Sequence, residues 1–412
     1  MKTLRYVCLF AVLLLDGMAV QKQNLQLASF DQVWSTIRER HWDQEKVGAA
    51  WDRARAELRP QAEQAQTPEQ VRPIIAKLLA TLGESHFYVI PAEAYDSMQN
   101  GGADGAAEPE FDFRILDGQA VVTRAAGSVQ SGWILQSIEQ KKTQPLIQEI
   151  SAAIPSKREA ELIAWAAIHH KLSGAANQTK SLAFVTGSGA CKTLNVPLLA
   201  PRHMARFGNL PPFAMQIEFQ RAINIGRFRF NAFLDPEWLQ ERLRFAVQDC
   251  AACAGFILDL RGNLGGLVQL AAATAAWFVP DQKALGTMTS RTGSMQLLVF
   301  PRQQRFSGKL AVLVDSLSVS SAEFLAAGLK DLGRARLFGE VTQGAALPSV
   351  IEKLPNGDRF QYAIAGYISA SGAAVEGAGV TPDVIVRPNR NDYLAGHDPA
   401  LDAARQWIET KE

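Results

Sequence analysis

From residue 224 onward, apolar runs of strand length alternate with stretches of helical spacing, and this alternation restricts the fold more than any other feature of the chain. Residues 224–230, 255–260, 310–314, 336–338, 350–354 and 360–369 read as strands, and residues 236–248, 268–278 and 322–332 as helices. Such an order predicts a mixed α/β core over residues 210–412. Upstream the texture is different. Phe30, Val33, Trp34 and Ile37 share one helical face, as do Val71, Ile74, Ile75, Leu78 and Leu79, so residues 20–90 read as a helical domain. Thr67-Pro68-Glu69-Gln70 predicts a helix start with Thr as N-cap and Pro at the first helical position. Residues 105–200 carry short strand patterns at 111–115, 120–123, 133–138, 181–185 and 192–198, with a helix over 145–154, and read as a small β-domain. Residues 201–212 contain Gly and Pro with little periodicity and read as a linker.

A length of 412 residues suits two or three such domains. The net charge of +1 gives no electrostatic reason to expect a nucleic-acid partner. At the N-terminus, Lys2 and Arg5 precede an apolar run over residues 6–15, and Gly17-Met18-Ala19 offers small residues for cleavage. Residues 1–19 therefore read as a signal peptide, with a periplasmic or secreted product. The run is about half the roughly 20 residues of a spanning helix. Beyond it, Cys191, Cys250 and Cys253 make an odd set, and Cys250 and Cys253 read as buried, inert thiols, with a structural disulfide between them as the alternative in an oxidising compartment. His41, His169, His170, His203 and His397 show no metal-ligand spacing, so neither metal nor cofactor is expected.

Two stretches carry candidate chemistry. In the first, the apolar run ending at Val314 leads through Asp315-Ser316-Leu317-Ser318-Val319-Ser320-Ser321-Ala322-Glu323 into a helix. A serine at such a junction lies beside the unpaired N–H groups of the first helical turn, which suits acyl transfer. Ser320 with Glu323 is equally a helix capping box. In the second, a buried strand ends in Asp259-Leu260-Arg261-Gly262-Asn263-Leu264-Gly265-Gly266, where paired glycines let backbone approach a substrate carbonyl. Neither G-x-G-x-x-G nor a P-loop Gly-Lys pair is present, which argues against a nucleotide site.

Together these stretches resemble the tail-specific (C-terminal processing) and tricorn proteases. Ser320-Ser321-Ala322-Glu323 stands at the family's distance beyond Asp-Leu-Arg-Gly-Asn-x-Gly-Gly, and Gly339-Glu340-Val341-Thr342-Gln343-Gly344 and Val375-Glu376-Gly377 extend the match. The resemblance implies a core like that of crotonase and ClpP, a PDZ-like domain over 105–200, and Ser320 as nucleophile. The tail-specific branch has its catalytic lysine just after the Gly matching Gly344, where this chain has Ala345. The tricorn-like branch instead takes a histidine from a Ser-His pair, matched by Ser85-His86, and a glutamate, matched by Glu376. It implies His86 as general base, oriented by Ser85 and Glu376, with Ser321 and Gly265 or Gly266 supplying oxyanion donors. Asp259, Arg261 and Asn263 are expected to fix the turn. The implied activity is a serine endopeptidase acting on extended polypeptide without metal or cofactor. A non-catalytic carrier of hydrophobic ligands or peptide-binding protein, and a small-substrate esterase, are the alternatives on the same fold.

Overall fold

The computed structural model describes residues 24–99, 105–208, 210 and 212–410, so the signal segment expected at 1–19 lies outside the described residues. The strand Gly255–Asp259 is buried along its whole length, as its unbroken apolar run requires of a strand covered on both faces. It lies at the centre of a six-stranded sheet in the order Ile217–Ala222, Ile225–Phe230, Gly255–Asp259, Lys309–Val314, Arg336–Gly339, Val384–Ile385. The first pair is antiparallel and the others parallel, with Asp259 opposite Leu313. Adjacent parallel strands end on the same side of a sheet. The turns after Asp259 and Val314 therefore emerge side by side, the usual place for a site in such a sheet.

The helices Pro236–Asp249, Val268–Ala275 and Ser321–Asp331 pack on one face of this sheet through Leu239, Leu243, Leu270, Phe324 and Leu325. The C-terminal helix Pro399–Glu409 covers the other through Leu401, Ala404 and Ile408. Cys250 and Cys253 form a disulfide at the end of the first of these helices, which corrects the expectation of free thiols. One turn of chain separates them, and their Cα atoms lie 5.0 Å apart, within bonding reach. Cys191 is free and exposed.

The single strand expected over 360–369 is two, Arg359–Ala363 and Ala365–Ser369, which lie in different three-stranded sheets. Arg359–Ala363 lies between Ser349–Lys353 and Tyr88–Ile90. Helices Leu25–Arg40, Ala49–Gln64 and Pro68–Ala80 share one apolar cluster with that sheet, Phe30, Val33, Ile75 and Leu78 meeting Phe360 and Tyr362. The third begins at Pro68 as expected, but the Thr67 hydroxyl makes no cap; Gln70 Oε1 instead accepts from the N–H of Gln66 at 2.7 Å.

Residues 105–200 contain the strands Phe111–Leu116, Gln119–Ala125, Ile134–Ile138, Lys141–Lys142, Thr179–Val185 and Cys191–Pro197. Two helices, Thr143–Ala153 and Lys157–Leu172, pack on this sheet. In the expected linker, Met204–Ala205 pairs with Phe213–Ala214. No helix among the described residues is long and apolar enough to cross a membrane.

Candidate active site

Ser320 is the N-cap of Ser321–Asp331 and has φ 56° and ψ −117°, a conformation that is costly for a residue with a Cβ. Its backbone is held firmly. The Ser320 N–H is shared between Ala345 O and Glu323 Oε2, each at 3.0 Å. Val319 N–H donates to Asn263 O at 2.9 Å, and Ser318 Oγ donates to Leu260 O at 2.8 Å, so the two turns are joined. Glu323 thus does reach back to its cap, as a capping box requires.

The glycine turn closes against this serine. Gly265 has φ 84°, and a Cβ placed there would fall 2.7 Å from Ser320 Cβ, so only glycine fits. Its N–H is already donated to Asn263 Oδ1 at 2.9 Å, which removes it from the expected set of oxyanion donors. Gly266 and Ser321 carry no backbone N–H bond among the described residues, while Ser321 Oγ donates to Gly266 O at 2.9 Å. The turn itself is fixed by ion pairs. Fully buried Asp259 accepts from Arg227 and Arg261 at 2.5 and 2.8 Å, and Arg261 continues to Asp398 at 2.7 Å. Burial opposes the charge on Asp259, yet the guanidinium groups hold its pKa well below the usual carboxylate range.

His86 follows the N-terminal helices and precedes the strand Tyr88–Ile90, whose pairing with Arg359–Ala363 carries it to the core. Its Nδ1 lies 2.7 Å from Ser85 Oγ. Ser85 Oγ donates to Glu376 Oε2 at 3.0 Å, and the Ser85 N–H donates to Glu376 Oε1 at 2.7 Å. Glu376 Oε2 also accepts the N–H of Ala346 at 2.8 Å, next to the Ala345 carbonyl that receives Ser320. The structure thus joins Ser85, His86 and Glu376 directly, and connects them to Ser320 through residues 345 and 346. No hydrogen bond runs between His86 and the Ser320 hydroxyl. Burial pushes the His86 pKa down to about 4, so the ring is neutral at pH 7 and able to accept a proton. Burial also raises the Glu376 carboxyl, against the hydrogen bonds from Ser85 and Ala346.

Three roles escaped the sequence reading. Glu323 binds Thr342 Oγ1, Gly344 N and Ala345 N besides its cap. A single acid in the otherwise small and apolar run over residues 321–329 was the available signal. His41 is fully buried, stacks on Phe87, and meets Glu84 Oε2 at 2.8 Å, steadying the residue before Ser85. Arg158, from the helix Lys157–Leu172, donates to the carbonyls of Thr342, Ala378 and Gly377 at 2.7, 2.9 and 3.0 Å. A separate cavity of about 1110 Å³ opens between the β-domain and the core, with Trp165, His169, Arg124, Arg229 and Leu264 among its walls but neither Ser320 nor His86.

Residues 224–386 match peptidase family S41, and residues 27–80 match the tricorn protease C1 domain. The chain thus carries a stretch matching peptidase family S41 and, upstream of it, one matching the tricorn protease C1 domain. It is 27% identical over 186 residues to the carboxy-terminal processing protease CtpA of Bacillus subtilis, covering 45% of this chain and 39% of that one. A putative tricorn protease homolog 2 of Streptomyces coelicolor is 25% identical over 407 residues, covering 91% of this chain and 31% of its own length. The fold is also that of the photosystem II D1 C-terminal processing protease, with a TM-score of 0.56 at 19% identity over 89% of this chain and 94% of that one. The chain spans about two fifths of the Bacillus relative, 39%.

Proposed function

We propose that this chain is a serine endopeptidase that cleaves extended polypeptide outside the cytoplasm through an acyl-enzyme. Ser320 Oγ attacks the scissile carbonyl and passes its proton to His86 Nε2. The ring then returns that proton to the leaving amine, and water repeats the cycle on the acyl-enzyme. Ser85 and Glu376 hold Nδ1 and so fix which ring nitrogen faces the nucleophile. The free N–H groups of Ser321 and Gly266 receive the developing oxyanion. The observation that carries this reading is the hydrogen-bonded path from His86 through Ser85, Glu376 and Ala346 to the segment bound by Ser320.

The core reads as crotonase/ClpP-like and residues 105–200 as PDZ-like, a sheet with an open edge at Cys191–Pro197 onto which an extended chain could add. The carrier reading draws on the cavity of about 1110 Å³, whose walls combine Phe111, Trp165 and Leu264 with the mutually paired Arg124, Arg229 and Asp112. A fluorophosphonate probe tests the choice. Labelling of the wild-type protein at Ser320, lost in Ser320→Ala and in His86→Ala while both remain folded, is the expected result. A folded wild-type protein that takes no label would end the peptidase reading.

A further inference from the structure

We propose that Glu323 is a positioning residue of this site, its ionised carboxylate holding the backbone of the nucleophile and the 344–345 segment in one arrangement. This rests on Ser320 being the nucleophile. A capping box needs only one bond from the acid, to the N-cap N–H. Glu323 makes that bond and three more: Oε1 accepts from Thr342 Oγ1 at 2.5 Å and Gly344 N at 2.7 Å, and Oε2 from Ser320 N and Ala345 N, both at 3.0 Å. The side chain is fully buried, a costly place for a carboxylate that had only a helix end to cap.

The four donors fill the lone-pair sites of an ionised carboxylate. A proton on either oxygen would displace a donor or force the Thr342 hydroxyl to reverse, and that oxygen already accepts the Val380 N–H at 2.7 Å. The placement of these bonds matters as much as their number. Three successive N–H groups, at Gly344, Ala345 and Ala346, enter two carboxylates: the first two Glu323, the third Glu376. One carboxylate is tied to the nucleophile and the other to the base. Residues 344–346 therefore set the spacing between Ser320 and His86, and Glu323 secures one end of that spacer.

The groups facing Glu323 are Ser320 on its own helix and Thr342, Gly344 and Ala345 on the opposing segment, none of them charged. Charged or titratable neighbours of that segment are Arg158 on the Thr342 carbonyl, Glu376 on Ala346, and His86 through Ser85. Burial pushes the Glu323 carboxyl up to about 7, against the bonds from Thr342, Gly344, Ser320 and Ala345. The His86 pKa lies at about 4. The two groups therefore predict different acid limbs for Ser320 acylation.

The test is the rate at which a fluorophosphonate acylates Ser320 in the folded full chain as pH is varied. The expected wild-type limb falls at about 7. In Glu323→Gln the plateau drops by roughly 100-fold, the cost of misplacing a reacting group by about 1 Å, and the limb moves towards about 4. Thr342→Val, which keeps the acid but removes a donor, moves the limb upward by about one unit, and Thr342→Ser restores it. If Glu323→Gln fails to fold by circular dichroism, the Thr342 pair carries the test alone. A wild-type limb near about 4, or a Gln variant acylated at the wild-type rate, overturns the inference but leaves the peptidase reading standing. Absence of wild-type labelling overturns both.

Discussion

Protein packed around the His86 imidazole pushes its pKa down to about 4, below the ordinary value of 6.5. An unfolded chain would bind a proton there between those two values while the folded chain would not. The stability that His86 confers is therefore fully present above about pH 6.5 and lost as the pH falls through about 4. His86→Gln removes this dependence, so its melting temperature should vary less with pH in that window than the wild type's. Equal slopes for the two proteins would contradict the burial of the ring. Ser85 acts on the same imidazole by a different route. Its hydroxyl bridges Glu376 and Nδ1, at 3.0 and 2.7 Å. Ser85→Ala leaves the proposed base in place without the partner proposed to orient it, and kcat for peptide hydrolysis should fall by about 10 to 100-fold with KM little changed.

At the scale of elements, the turn from Leu260 to Gly266 and the elbow at Ser320 constrain each other. Gly265→Ala would push a Cβ to 2.7 Å from Ser320 Cβ and 2.9 Å from Val319 O, at φ 84°. The strain is of order 1–3 kcal/mol, and either Ser320 or the glycine turn must shift. Loss of Ser320 labelling with far-UV circular dichroism preserved is the expected outcome. Labelling at the wild-type rate would mean that the elbow yields freely. These two turns were also the most legible part of the chain, because strand, turn and helix start are written consecutively at 255–266 and 310–323. Local pattern likewise predicted most of the central strands and helices. It missed the hairpin of Lys283–Ser290 with Gly293–Val299, the strand Ile217–Ala222 and the helix Pro399–Glu409, and it failed again where pairing is non-local. The split of 360–369 into strands of different sheets depends on partners at Tyr88–Ile90 and Lys283–Ser290, and nothing in the local alternation marks it. The disulfide was legible only as a spacing, since pairing depends on how the helix Pro236–Asp249 ends. Of the site, the serine, histidine and glutamate were reached through family resemblance. Glu323 looked like a simple cap because its other three donors come from residues 342–345.

For the whole molecule, the β-domain does more than lie beside the core. From its first strand, buried Arg114 meets Asp315 at 3.6 Å and Ser316 Oγ at 2.9 Å, and also pairs with Glu340. From its second helix, Glu161 accepts from Ser316 Oγ at 3.2 Å, and Arg158 grips the carbonyl of Thr342, just before residues 343–346, and those of Gly377 and Ala378, just after Glu376. These contacts differ in kind, so their loss should read out differently. Arg114→Met strands two acids, one of them buried, and the cost of an unpaired buried charge is about 3–5 kcal/mol; a clear drop in melting temperature is expected. Arg158→Met leaves neutral carbonyls, and those of Gly377 and Ala378 belong to exposed residues where water can replace the guanidinium. Its stability cost should be near 1 kcal/mol. Its effect on the site should be larger, because the loop carrying Glu376 loses its tie to the β-domain and the Ser85–His86 pair loses a fixed partner. The expected signature is a fall in kcat of tenfold or more, an unchanged KM for short peptides, and partial recovery on adding guanidinium at concentrations too low to unfold the chain. A variant that loses activity only in proportion to its unfolding, with no response to guanidinium, would make Arg158 a mere brace between domains.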